Sequence, residues 1–132
     1  MGKRTTGRRL AMQALYEADF GLAKVLEIIE RLSKEENMIE ESLSFAKHLA
    51  CGAFDKKDEI DSIIKKHSKD WPIERMSGVD RNILRVALYE LIFTKTPPQV
   101  VINEALELAK KYSSFEAAKF INGILGGYIK AC

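Results

Sequence analysis

Apolar positions recur along almost the whole chain at spacings of three and four, the period of helices that each bury one face. Leu10, Ala11, Ala14, Leu15 and Ala18 share one side of a helix predicted over about Gly7–Phe20 and ended by Gly21. A second helix is predicted near Leu22–Leu32, and a long helical region over about Met38–His67, with a break near Gly52 to Asp55. Trp71-Pro72 interrupts the pattern, because a residue that precedes proline is biased away from helix. Helical periodicity resumes over Val79–Thr94 and stops at Pro97-Pro98. It returns over Asn103–Tyr112 and Phe115–Ala131, with Ser114 placed to cap the last helix. The single β-like run is Gln99–Ile102. The pattern predicts an all-α domain in two packed helical halves divided near Trp71.

Two of these helices are unusual. Val79–Phe93 is apolar nearly all round, which places it in the middle of the fold. Glu90 projects on the same side as Ile83, Val86 and Phe93, so its carboxylate needs a buried partner. With no nucleophile or second acid beside it, its expected role is structural. The last helix has a core face of Ala117, Ile121, Ile124, Leu125 and Tyr128. Its other side carries Glu116, Lys119, Gly123, Gly126 and Gly127, with Phe120 at the edge. A glycine inside a helix costs about 1 kcal/mol relative to alanine. The bare backbone at Gly123, beside Lys119, Phe120 and Asn122, therefore reads as a contact region for another molecule.

A chain of 132 residues with 46% hydrophobic and 30% charged positions is large enough for one domain with its own core. No apolar run approaches the roughly 20 residues that span a bilayer, and the N-terminus lacks the apolar segment of a secretory signal. No membrane partner is expected. Cys51 and Cys132 make no disulfide framework, which suits a reducing cytoplasm. His48 and Cys51 lie three apart, but His67 and Cys132 are unpaired in sequence, so no four-ligand metal set is expected. Glycine-rich phosphate loops and nucleophile elbows are also missing. The expectation is a protein that is not an enzyme and uses no cofactor.

Charge changes the picture. The chain carries 21 basic and 19 acidic residues, a formal charge of +2, yet Lys3, Arg4, Arg8 and Arg9 all precede the first acid, Glu17. The remainder has 17 basic against 19 acidic residues, so the basic character is a local patch at the leading end. A polyanion is the natural partner, because each phosphate neutralised releases condensed counterions. On the first helix Arg9, Gln13, Tyr16 and Phe20 form a stripe at spacings of four, three and four. A cation and an amide followed by aromatics suits single-stranded RNA, with charge on the phosphates and rings on splayed bases. Phe20 is expected to pack against the next helix instead, and Tyr16 is open between the two roles.

Three segments together resemble the NusB family of bacterial transcription antitermination factors. They are Arg8–Tyr16, Val79–Leu91, and Val101–Lys110 followed by Lys119–Leu125. The order and spacing extend over essentially the whole chain, and only about Leu22–Asp70 carries little of the signature. The resemblance implies one compact all-α domain over residues 1–132 with about seven helices: a basic arm over 1–7 and helical subdomains over about 8–70 and 71–132. It implies binding to the boxA element of ribosomal RNA leader transcripts together with NusE, a small-subunit ribosomal protein, within the RNA polymerase antitermination complex. The RNA surface it implies comprises Lys3, Arg4, Arg8, Arg9 and Tyr16 with Phe120, Glu116 and Lys119, while Asp80 belongs to the NusE-facing surface. Gln13, Asn122 and Gly123 join the RNA surface from the helix geometry above. Relatives often have a denser arginine run than this chain, where Thr5, Thr6 and Gly7 interrupt it, so the isolated chain is expected to lean on its partner for affinity. Some members form homodimers that hide the RNA surface, and both states stay open here. Two other readings fit less well: a protein-binding helical adaptor that never touches RNA, and the RNA-recognition module of a ribosomal RNA methyltransferase.

Overall fold

The computed structural model describes residues 2–69 and 71–132; Met1 of the expected arm and Asp70 at the expected boundary between halves lie outside them. The chain folds as α1 (Lys3–Ala18), α2 (Val25–Glu35), α3 (Glu40–Asp55), α4 (Lys57–His67), α5 (Gly78–Phe93), α6 (Pro98–Tyr112) and α7 (Phe115–Ala131), with a 3-10 turn over Ile73–Arg75. The described residues contain no strand. The expected all-α fold is therefore what forms.

The central helix is α5, as its sequence predicts. Asn82 through Glu90 are all buried, and the helix packs against α1, α3, α4, α6 and α7. The outer helices each bury a stripe: Ile28 and Ile29 on α2, Ile60 and Ile64 on α4, and Val101, Ala105, Leu108 and Ala109 on α6. Ser77 caps α5 by accepting from the Asp80 N–H at 3.1 Å, and Ser114 caps α7 by accepting from the Ala117 N–H at 3.0 Å. The second cap is the one expected from sequence.

Four boundaries differ from expectation. The leading residues are helical from Lys3 onward, so most of the expected arm is the first turn and a half of α1. That extension passes through Gly7, where a Cβ would stand 2.9 Å from the Phe45 ring and 3.1 Å from the Ser42 carbonyl oxygen of α3. The missing side chain lets the two helices touch, and the Ser42 hydroxyl fastens the contact by donating to the Lys3 carbonyl at 3.1 Å. At the other end α1 stops at Ala18, and Gly21 follows in a turn with φ of +72°, which favours glycine. The β-like run Gln99–Ile102 is helical: Pro98 sits at the first position of α6, where its fixed φ starts a helix and its missing N–H costs nothing. The break in the long helical region falls at Lys56, just beyond Gly52. Gly52 stays inside α3 because the Tyr89 ring of α5 occupies the space of its side chain, with the phenol oxygen 2.3 Å from where a Cβ would be.

Candidate nucleic-acid interface

The two neighbouring arginines of α1 face opposite fates. Arg8 is buried, with only 5% of its surface exposed. Its Nε donates to Glu90 Oε1 at 2.8 Å and one terminal nitrogen to Glu90 Oε2 at 2.6 Å, the paired geometry that suits guanidinium and carboxylate. The other terminal nitrogen donates to Glu104 Oε1 at 2.8 Å, an oxygen that also accepts from the Thr5 hydroxyl. Burial works against the Arg8 charge, but the hydrogen bonds and charges of Glu90 and then Glu104 outweigh it and hold the pKa above its ordinary value. The expectation that Arg8 stands on an exposed cationic patch is thus corrected. The partner that buried Glu90 required is this arginine, and each satisfies the other.

Arg9, one residue on, turns 100° away into a groove between α1 and α6. Its guanidinium donates to Gln13 at 3.0 Å and to both oxygens of Glu36 at 2.8 and 3.2 Å. The groove has a volume of about 410 Å³ and is also lined by Thr5, Glu107, Lys110, Lys111 and Tyr112. Lys110, Lys111 and Tyr112 are not among the site residues expected from sequence. Lys3 and Arg4 are exposed at the start of α1; Lys3 pairs with Glu41 at 3.1 Å, and Arg4 lies over the Phe45 ring at 4.5 Å.

Further along α1, Tyr16 is 37% exposed and lies against Gly78 at the start of α5, with its ring 2.6 Å from where a Cβ would be. Phe20 does not pack into the next helix as expected. It is 62% exposed and meets Tyr16 edge to face at 5.3 Å, because α1 ends before it and the turn carries its ring outward. Two residues beyond Gly78, Asp80 lines a recess of about 580 Å³ together with Glu116, Phe120, Trp71 and His67. Phe120 is half-buried at its edge, while Lys119 and Asn122 are exposed. A Cβ at Gly123 would meet no atom within 4 Å among the described residues, so helix packing does not account for that glycine. The bare strip ends at Gly127, where the His67 ring lies 3.1 Å from the Cβ position.

The groove and the recess come near each other at the turn between α6 and α7. The groove that holds Arg9 ends at Tyr112, the last residue of α6, and Ser113-Ser114 leads directly into α7 and its recess. Tyr16 touches Gly78 at the start of α5, and Asp80, two residues on in the same turn, lines the recess. The cationic groove and the aromatic recess therefore adjoin at the α6–α7 turn, through Tyr112 and Ser114.

No group of three or more potential metal ligands occurs among the described residues. His48 instead meets the Tyr89 ring edge to face at 5.8 Å. Burial, and then Asp55, pushes the Cys51 thiol upward in pKa. No helix is long and apolar enough to cross a membrane.

Comparison with known proteins places the chain among relatives over nearly its whole length. A family model described as the NusB family matches residues 5–130. A transcription antitermination protein NusB of Myxococcus xanthus (strain DK1622) is 40% identical over 130 residues, covering 95% of this chain and 93% of its own. The corresponding protein of Heliobacterium modesticaldum is 44% identical over 124 residues, and the match spans 93% of this chain but 60% of that longer relative. Among solved structures, a chain from the complex of antitermination factors NusB and NusE with double-stranded RNA superposes with a TM-score of 0.90 at 36% identity, covering 100% of this chain and 99% of that one. With a family match over nearly its full length and relatives at this identity, the chain belongs to the NusB family.

Proposed function

We propose that this protein is a cytoplasmic, non-enzymatic transcription antitermination factor that binds boxA-type RNA of ribosomal leader transcripts together with NusE and helps RNA polymerase read through terminators. The observation that carries this reading is the adjacency of the groove beside Arg9 and the recess beside Phe120, whose linings come within two residues of each other at Tyr112 and Ser114. Phosphates track Lys3, Arg4 and Arg9, with Gln13 as a polar contact. Bases meet Tyr16 and Phe120, and the exposed backbone at Gly123 lets the strand lie close to Lys119, Asn122 and Glu116. Asp80 faces NusE at the edge of the same recess, which sets protein and RNA side by side. Arg8 acts differently from its neighbours: it fixes the direction of α1 and so positions Arg9, without meeting a phosphate itself.

The test is boxA RNA binding measured by fluorescence anisotropy with and without NusE, across a range of salt. Phe120→Ala is expected to weaken binding by about 1–3 kcal/mol through lost stacking. Arg9→Gln is expected to flatten the plot of log affinity against log salt by roughly 0.7, one single-strand phosphate contact. A wild-type protein that recruits NusE yet never engages RNA would favour the adaptor reading and overturn this one.

A further inference from the structure

On the flank of α1 away from Arg9 lies a second cleft, of about 570 Å³, of which the RNA surface above uses only Arg4 at the rim. It is lined by Arg4 of α1, Phe45 and His48 of α3, and Thr94, Lys95 and Thr96 of the α5–α6 connection. The groove beside Arg9 carries Glu104 and Glu107, whereas no carboxylate lines this cleft. Among the described residues, neither Arg4 nor Lys95 has a carboxylate partner within 4.0 Å, and Lys95 and His48 are exposed. The adjoining acid Glu41 is already taken by Lys3, and buried Glu90 by Arg8.

We propose that the cleft framed by Arg4, His48 and Lys95 holds a backbone phosphate of the bound RNA strand, so that the strand crosses the leading end of α1 and is gripped on both of its flanks. This rests on the RNA-binding reading above. Its chemistry is that of a phosphate clamp rather than a base pocket. The Phe45 ring, which could otherwise stack a base, is covered by the Arg4 guanidinium at 4.5 Å. The Thr94 hydroxyl is spent on the Glu90 carbonyl at 2.6 Å, and the Thr96 N–H donates to the Thr94 oxygen at 3.3 Å, which leaves the cations to meet an anion. The uncapped start of α6, beginning at Pro98, adds the positive end of a helix dipole to the same wall. A phosphodiester supplies what this lining lacks: negative charge and acceptor oxygens.

The experiment compares Lys95→Gln, Lys95→Arg and Lys130→Gln in boxA RNA binding with NusE present. Lys130, exposed near the end of α7, controls for the loss of one charge. Lys95→Gln is expected to flatten the salt slope by roughly 0.7 and weaken binding about fivefold at 0.1 M salt. Lys95→Arg and Lys130→Gln are expected to keep the wild-type slope. An unchanged slope in Lys95→Gln, or equal flattening in Lys130→Gln, overturns the clamp while leaving the RNA-binding reading intact. If RNA binding ignores Lys95 but inorganic phosphate shifts the His48 ring resonances, the cleft serves a free anion and the proposal also falls. A wild-type protein that binds no RNA defeats the underlying reading and this inference together.

Discussion

Two arginine clusters clamp α1 to α5, at opposite ends of their contact and with opposite polarity. At the leading end, α1 supplies the cation: Arg8 reaches Glu90 near the end of α5. At the trailing end the acid comes from α1's side, where Asp19 accepts from Arg85 at 3.1 Å, Arg81 at 3.3 Å and Asn82 at 2.8 Å. Arg85 also holds Asp61 of α4 through two bonds of 2.9 Å. The crossed signs allow only one direction and one register for α1 along α5, since sliding or reversing it would bring like charges together. The clusters differ in dryness. The side chains of Arg8 and Glu90 are 6% and 1% exposed, while Asp19 and Asp61 keep 21% and 18% of theirs open to water. A charge stripped of its partner is far costlier where water cannot reach it.

The comparison is broken most severely by Arg8→Met. Glu90 is then left charged and alone in the core, and unfolding measured by denaturant is expected to show a loss of about 3–5 kcal/mol. Adding Glu90→Met should recover much of this, since an apolar pair of similar volume no longer strands a charge. A loss below about 1 kcal/mol in the single variant, the range of an exposed pair, would mean that water reaches Glu90 and that the cluster is no lock. Arg85→Met comes next. Its acids can turn to solvent and Asp19 keeps Arg81, so the expected cost is about 1–3 kcal/mol. If Arg85→Met proves worse than Arg8→Met in the same titration, the ranking by dryness is wrong.

These clusters also mark the limit of what the sequence discloses. The seven helices follow from periodicity, because each buries a stripe that repeats at helical spacing, and α5 is legible as central from its unbroken apolar surface. That Glu90 needs a partner is legible too. Which cation answers is not, because Arg8 and Arg9 are adjacent and chemically alike, and only the 100° between them decides that one enters the core. Asp19 and Asp61 carry no such signal: they lie 66 and 24 residues from Arg85, with which they pair, and nothing local links them to it. The start of α1 is not legible, because no apolar residue before Gly7 marks a buried face, and only the contact of Gly7 with Phe45 shows the helix running on to Lys3. Phe20 was assigned to packing for its size, but a ring past the end of a helix follows the turn rather than the helical face. The surface residues Lys119, Asn122 and Gly123 were legible because a bare glycine in a helix has few structural reasons to exist.

The smallest expected effect is also the one that bears most directly on function. Arg9, unlike Arg8, is held by an acid at the surface: Glu36 is 38% exposed and sits just past the end of α2. Pairs of this kind contribute about 0.2–1 kcal/mol, so Glu36→Gln should leave the fold nearly as stable as before. Any RNA phosphate that takes Arg9 must first displace Glu36, and the variant removes that competitor. RNA affinity is therefore expected to rise, with a salt slope close to that of the wild type because the same phosphate is engaged. Glu35→Gln is the control, because Glu35 is a neighbouring exposed acid that pairs with Arg31 instead, and its removal adds the same unit of charge. An equal rise in both variants would reduce the effect to net charge. A fall in Glu36→Gln alone would show that the pair aims Arg9 at the strand instead of restraining it, and the contrast between a locked arginine and a released one would have to be redrawn.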